Sequence, residues 1–418
     1  MTAPRPPLLS LDEALARLLQ AAGAHTIGQI ETVSTFDGLG RVLAADLHST
    51  IDVPRADNSS MDGYALRAAE AANGALLPVS QRIPAGVVGQ PLASGSAARI
   101  FTGAQIPRGA DAVLMQEQAE AVPGDGLGAV RVLAAPAAAD WIRRRGEDVC
   151  AGDVVLPRGA RLTPQALGLA AGVGAATLQV VRRPRVALLS TGNELVMPGQ
   201  PLPPGAIYNS NRFTLRALLQ ACGCECTDLG IVPDQLQATR DALRAAAQGH
   251  DLILSSGGVS VGEEDHLRPA LMAEGRLELW QIAIKPGKPL AFGAVRGVAG
   301  PQTPDALFIG LPGNPVSSFV TFLLCVAPLL RALQGADPAL PRGMLLRADF
   351  DWSRPDRRRE FLRVRRNAQG GLELFANQSS GVLTSAVWAD GLVDNAPGQV
   401  LRRGDAVRFL PLSELVGQ

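Results

Sequence analysis

The chain's 418 residues exceed what a single core ordinarily serves, and 47% apolar residues supply material for roughly three domains. Lys+Arg and Asp+Glu each total 39, so the formal net charge is zero, which argues against a duplex nucleic-acid partner. The first twenty residues lack the pattern of a signal peptide, the longest apolar stretch (319–330) is too short to cross a membrane and contains Pro328, and the five clustered cysteines fit reduced thiols in the cytoplasm.

In chain order, residues 10–22 predict an amphipathic helix with Leu11, Leu15, Leu18 and Leu19 on one stripe and Ser10 as N-cap. Between about 50 and 148 the texture changes to short β-like runs, at 77–79, 98–101, 112–116 and 130–133, separated by Gly and Pro. Residues 164–172 predict a short helix with Pro164 in its first turn. From Arg185 strands and helices alternate. VALLS (186–190) and DLILSS (251–256) read as buried parallel strands, and CTDLGIV (226–232) as a third. The helix after the first strand takes Ser210 or Asn211 as N-cap and stops at Gly223; further helices fall at 234–249, near 266–274 and at 315–326. LWQIAI, PLAFGAV and DALFIGL add strands. The alternation implies a doubly wound α/β domain over 184–334. Beyond 335, MLLRADFDW, EFLRVRRNAQGGLELF and DAVRFLPL read as a small C-terminal β domain with a hairpin turning at 367–371.

Ligands of α/β sheets bind beyond the carboxyl ends of the strands. Three strands here end in small-residue loops: STGNE (190–194), SSGGVSVG (255–262) and LPGNPVSS (311–318). Glycine lets backbone N–H groups approach an anion closely, and Ser or Thr hydroxyls add adjustable donors. Glu194, Asp234, Glu263, Glu264 and Asp265 punctuate the same rim. Singly, Asp234 and Asp265 read as helix caps; together the acids suit Mg²⁺ held against a phosphate-bearing substrate. Lys285 and Lys288, in IKPGKP, are the only lysines among 39 basic residues, which suggests sites that need a compact ammonium. The motif DNSSMDGYA (57–65) resists a purely structural account, whereas the arginines of RRRGED (143–148) read by themselves as a solvated face. Cys222, Cys224 and Cys226 lack paired zinc spacing and read as core, and the four histidines form no triad.

DNSSMDGYA, RIFTGAQIPRGADAVLMQE, IRRRGEDV, LLSTGNEL, SSGGVSVGEEDH, AIKPGKP and GLPGNPVS, in this order, closely resemble the MoeA family of molybdopterin molybdenumtransferases, relatives of the gephyrin C-terminal domain. The resemblance implies a cytoplasmic homodimer of four domains. These are a discontinuous, elongated first domain (1–52 and 149–183), an inserted β-rich domain (53–148), the α/β molybdopterin-binding catalytic domain (184–334) and a barrel-like β domain (335–418). It implies insertion of molybdate into adenylated molybdopterin with Mg²⁺-dependent release of AMP, and transient contact with molybdopterin adenylyltransferase and molybdoenzymes. Asp62 and Thr102 would act across the subunit interface, with Asp148 also on the substrate. Glu194, Asp234 and Asp265 match the substrate or metal positions. Thr191, Gly192, Ser256, Gly257, Gly258, Pro312, Gly313, Asn314 and Pro315 match the substrate loops. Lys285, Lys288, Ser317, Arg363 and Ser380 are the candidates for the oxyanion. Asn193 stands where some members carry Asp, and His266 replaces a frequent Tyr. Two other functions compete: a molybdopterin adenylyltransferase, whose fold resembles 184–334 alone, and a gephyrin-like binding scaffold.

Overall fold

The computed structural model describes residues 8–259, 266–297 and 304–416, the side chains at 279 and 280 excepted. The helix Leu11–Ala24 begins with a capping box: the Glu13 N–H donates to Ser10 Oγ, and its carboxylate accepts from the Ser10 N–H at 2.8 Å. Leu11, Ala14, Leu18 and Ala22 form its buried face, a narrower stripe than the four leucines predict. The strand Ile30–Ser34 then pairs antiparallel with Thr177–Val181, and Leu47–His48 with Val154–Leu156. The intervening residues form a six-stranded sheet in the order 112–115, 63–66, 97–100, 76–83, 129–132, 119–122. All four predicted β runs fall in it. Gly63–Leu66, inside the DNSSMDGYA motif, was not read as a strand; a Cβ at Gly63 would lie 1.9 Å from the Leu114 carbonyl, so only glycine fits its central position.

The α/β sheet has the order Glu225–Val232, Arg185–Thr191, Leu252–Ser256, Ala306–Leu311, Pro289–Val295, Gly275–Gln281. The first four strands are parallel, and the last two add antiparallel. Its two faces sort by strand periodicity. Val186, Leu188, Leu252, Leu254, Leu307 and Ile309 pack on one side with Leu215 and Leu219 of the helix Ser210–Ala221 and with the helical run from Pro315. Ala187, Leu189, Ile253 and Phe308 pack on the other with the helices Leu236–Ala246 and Leu267–Glu274. Helices on both faces are the doubly wound arrangement.

The helical run Pro315–Leu333 is longer than the apolar stretch read from the sequence. It has 19 residues and a mean hydropathy of 1.9, but 83% of its most apolar window lies inside the fold, as a core helix does. Pro328 lacks the N–H that would bond back to Leu324, and the turn Phe322–Val326 just before it is π-helical. Cys224 sits in the adjoining core, with Cys222 and Cys226 packed against it, and burial pushes all three thiols up.

The C-terminal sheet runs Ile284–Lys285, Arg359–Arg366, Gly391–Asn395, Ala406–Pro411, Met344–Arg347. Its predicted hairpin turns where expected: Asn367 Oδ1 accepts from the N–H groups of Gln369 and Gly371. The edge strand Ile284–Lys285 belongs to the IKPGKP segment, so that motif is stitched into the second β module in register with Arg359 and Glu360.

Candidate active site

A cavity of about 760 Å³ opens where the parallel strands end at Thr191, Ser256 and Leu311. All three glycine-rich loops line it, through Thr191, Gly192, Glu194, Ser256, Gly257, Gly258, Pro312, Gly313, Asn314, Pro315 and Ser317. Backbone geometry explains the glycines. Gly257 and Gly258 have φ of +90° and +65°, and a Cβ on either would meet the Thr191 carbonyl or hydroxyl at 2.6 Å. The loops can therefore lie against one another only without side chains. Asn211 holds them in place: its Nδ2 donates to Ser256 Oγ at 2.9 Å and to the Gly313 carbonyl at 2.8 Å.

Asn211 and Ser210 are not the helix cap; Asn209 is, accepting the Arg212 N–H at 3.2 Å. The shift by one residue frees Asn211 to face the cavity, and Asn209, Asn211, Tyr208 and Gly381 are wall residues that motif reading passed over. Thr191 Oγ1 and Asn209 Nδ2 are buried with no protein partner. A buried polar group in that state costs roughly 1–3 kcal/mol, which a bound oxyanion can offset.

Glu194 and Asp234 are on the same wall. The capping reading of Asp234 does not hold, because the helix begins at Leu236 behind Gln235, which makes no side-chain cap bond. Asp234 Oδ2 instead accepts the Asn193 N–H at 3.0 Å, and the Asp234 N–H donates to Asn193 Oδ1 at 3.2 Å. This reciprocal pair uses the side-chain oxygen of Asn193 as an aspartate's would be used. Asp234 Oδ1 and the exposed Glu194 carboxylate are left for a ligand. Two carboxylates completed by phosphate oxygens are a donor set that suits Mg²⁺. Glu263, Glu264 and Asp265 lie outside the described residues.

The two lysines diverge. The Lys285 ammonium is 3.1 Å from Glu360 Oε1 and 3.5 Å from Asp356 Oδ2, and it is not part of the cavity wall. Lys288 has no ion-pair partner among the described residues and adjoins Pro289, which does line the cavity. Ser380 reaches the cavity through its backbone: its carbonyl accepts the Val316 N–H at 3.0 Å, at the start of the helix that carries Ser317, and Gly381 completes the wall. Arg363 lies close behind that loop, 2% exposed. It donates to Ser385 Oγ and to the carbonyls of Phe361 and Ser379, with no carboxylate in ion-pair range among the described residues. Burial lowers its pKa to about 10.

The first-half candidates stand apart from this cavity. Asp62 Oδ1 accepts both the N–H and the hydroxyl of Thr102 at 2.8 Å, and these bonds hold its carboxyl below the ordinary range. Asp148 is anchored by its N–H to the Val53 carbonyl. The arginine run is exposed but paired: Arg144 bonds Asp57 at 2.6 Å, and Arg145 bonds Asp52.

Against known proteins, residues 9–174 match the MoeA N-terminal region (domains I and II), 187–332 the probable molybdopterin binding domain, and 346–412 the MoeA C-terminal region (domain IV). The chain is 45% identical to the molybdopterin molybdenumtransferase of Haemophilus influenzae over 78% of either sequence. It is 37% identical to that of Synechococcus elongatus, over 91% of this chain and 93% of the relative. A crystal structure of the molybdopterin biosynthesis MoeA protein of Pyrococcus horikoshii superposes with a TM-score of 0.79 at 27% identity, covering 97% of this chain and all of that one. Three matching regions in order, and relatives aligned over most of their length, place this chain in the MoeA family of molybdopterin molybdenumtransferases.

Proposed function

We propose that the chain catalyses the last step of molybdenum cofactor synthesis, inserting molybdate into adenylated molybdopterin with Mg²⁺-dependent release of AMP. The observation that carries this reading is the single cavity in which three glycine loops meet Glu194 and Asp234. The loops receive the pterin and phosphate groups through backbone N–H donors and through the hydroxyls of Thr191, Ser256 and Ser317. Glu194 and Asp234, with Asp265, would hold the Mg²⁺, which would supply positive charge against the phosphates. Molybdate, a tetrahedral dianion, sits toward Lys288, Ser317 and the loop at Ser380, with the buried cation of Arg363 behind it. The chain's task is to position two anions against each other, with no nucleophile of its own.

The active form is a cytoplasmic homodimer, with Asp62, Thr102 and Asp148 of one subunit serving the cavity of the other. None of the three lines the cavity within one chain, which supports this arrangement. The return of the chain to pair 177–181 with 30–34 supports a first domain interrupted by residues 53–148. Transient contact with the adenylyltransferase and with recipient molybdoenzymes follows from a labile substrate and product.

Purified protein, adenylated molybdopterin and molybdate should yield cofactor and AMP in equal amounts. Chelation by EDTA should stop both, and Glu194→Gln or Asp234→Asn should slow both by about 10²-fold or more, the scale of lost electrostatic stabilisation. Cofactor formation unchanged in both variants would refute the site. Adenylation of molybdopterin from ATP without molybdate would favour the adenylyltransferase instead.

A further inference from the structure

Away from the active cavity, a more enclosed pocket of about 230 Å³ lies where three parts of the chain meet. Val42 and Arg161, which bridge to each other, form one wall. Cys222, at the end of the helix Ser210–Ala221, and Leu330 and Arg331 of the core helix form another, and Val416 of the last helix closes it. The volume equals that of about seven or eight waters. That is room enough for a small organic ion.

The chemistry of this pocket is one-sided. Arg161 donates to the Ala221 carbonyl at 3.2 Å and Arg331 to the Ala339 carbonyl at 3.3 Å, and neither has a carboxylate in ion-pair range among the described residues. Arg331 Nε is buried without a partner. Burial weakens the hold of Arg331 on its proton, and the charge of Arg161 adds to this against opposing contributions from Cys222 and Asp337. Asp337, at the pocket's edge, is exposed and accepts the Ala339 N–H. A merely solvated arginine would not bury its Nε without a partner.

We propose that this pocket binds a small organic oxyanion, with its carboxylate or phosphate head between Arg161 and Arg331 and a short apolar body against Leu330 and Val416. Guanidinium groups match such heads in both charge and shape. The ligand would tie the N-terminal segment, the core helix and the last helix together without touching the active cavity.

Cys222 is a built-in reporter, and the exposed Cys150 an internal reference. In the full-length protein, butanoate and inorganic phosphate are each tested against chloride at matched ionic strength. Alkylation of each cysteine by iodoacetamide is followed by peptide mass spectrometry, and melting is recorded in parallel. At least one of the two anions should slow Cys222 labelling about fivefold at four times its Kd and raise Tm by about 1 °C. Arg331→Gln and Arg161→Gln should each abolish both effects, whereas Lys288→Ala, beside the other cavity, should retain the Cys222 protection. Butanoate alone would assign a carboxylate ligand, and phosphate alone a phosphate ester. Protection that chloride reproduces, or that survives in the arginine variants, would overturn the proposal. So would the lack of any effect on either readout at about 50 mM, where even millimolar binding would register.

Discussion

Lys285 Nζ lies 3.1 Å from Oε1 of Glu360, a carboxylate with no exposed surface that also accepts the Trp352 indole N–H at 2.8 Å. A carboxylate at that depth stays charged only with a partner. Lys285 therefore fixes the IKPGKP segment to the C-terminal sheet, and Lys288, three residues on, is the ammonium with no described carboxylate. The spacing joins the two in one role, and the packing separates them.

Lys285→Ala should then act first on stability. It strands the Glu360 carboxylate and should cost about 3 kcal/mol, the lower end of the range for breaking a buried pair because the lysine is half-exposed. Lys288→Ala should change stability by about 0.5 kcal/mol or less while slowing metal insertion at low molybdate. Urea unfolding beside an insertion assay separates the two, and equal unfolding midpoints would contradict the division.

Gly257→Ala should be severe and Gly313→Ala mild. The first places a Cβ 2.6 Å from the Thr191 carbonyl at φ +90°, whereas the second adds its methyl in open space. Strain of about 1–3 kcal/mol is expected at Gly257, and within about 0.5 kcal/mol at Gly313. Thermal denaturation checks both values.

Asp62 offers a pH test. The Thr102 N–H and hydroxyl hold its carboxyl below the ordinary aspartate value of 3.8. The stability it contributes is complete above that value and is lost as pH falls through the lower folded value. Thr102→Val removes the hydroxyl and keeps the N–H, so the Asp62 pKa should rise part of the way toward 3.8. Carbon-13 titration of the side-chain carboxyl measures this directly; an unmoved pKa would discount the hydroxyl.

Arg363 should couple oxyanion binding to folding. Molybdate at ten times its Kd should stabilise the wild type by about 1.4 kcal/mol. Arg363→Gln should lose most of that increment, because it removes a buried cation that no carboxylate offsets. Melting curves with and without molybdate test this, and an equal increment in both proteins would exclude Arg363 from the site.

The fold was legible wherever the signal was local. Runs such as VALLS alternate faces inside a two-sided core, and Ser10 with Glu13 spells a capping box three residues wide. The glycine loops were legible because a positive φ demands a residue type. Contacts between distant segments left no such mark. Glu360 lies 75 residues beyond Lys285, and no spacing rule links them. Asn209 and Asn211 differ as cap and wall only through a one-residue shift in the helix start. Asp234 looked like a cap because its type suits one, and only the approach of Asn193 gives it another partner. The pocket between Arg161 and Arg331 draws on residues from five stretches of chain.

The bond from Val316 N–H to the Ser380 carbonyl brings the C-terminal module to the mouth of the cavity, where Gly381 supplies part of the wall. If the oxyanion sits where proposed, selectivity among similar oxyanions can drift through substitutions on the loop 379–381 or around Arg363, while the strand-end loops stay untouched. Grafting a relative's C-terminal module onto this chain should therefore transplant metal preference without transplanting pterin recognition. In that sense the last eighty residues would be an exchangeable filter on the α/β domain.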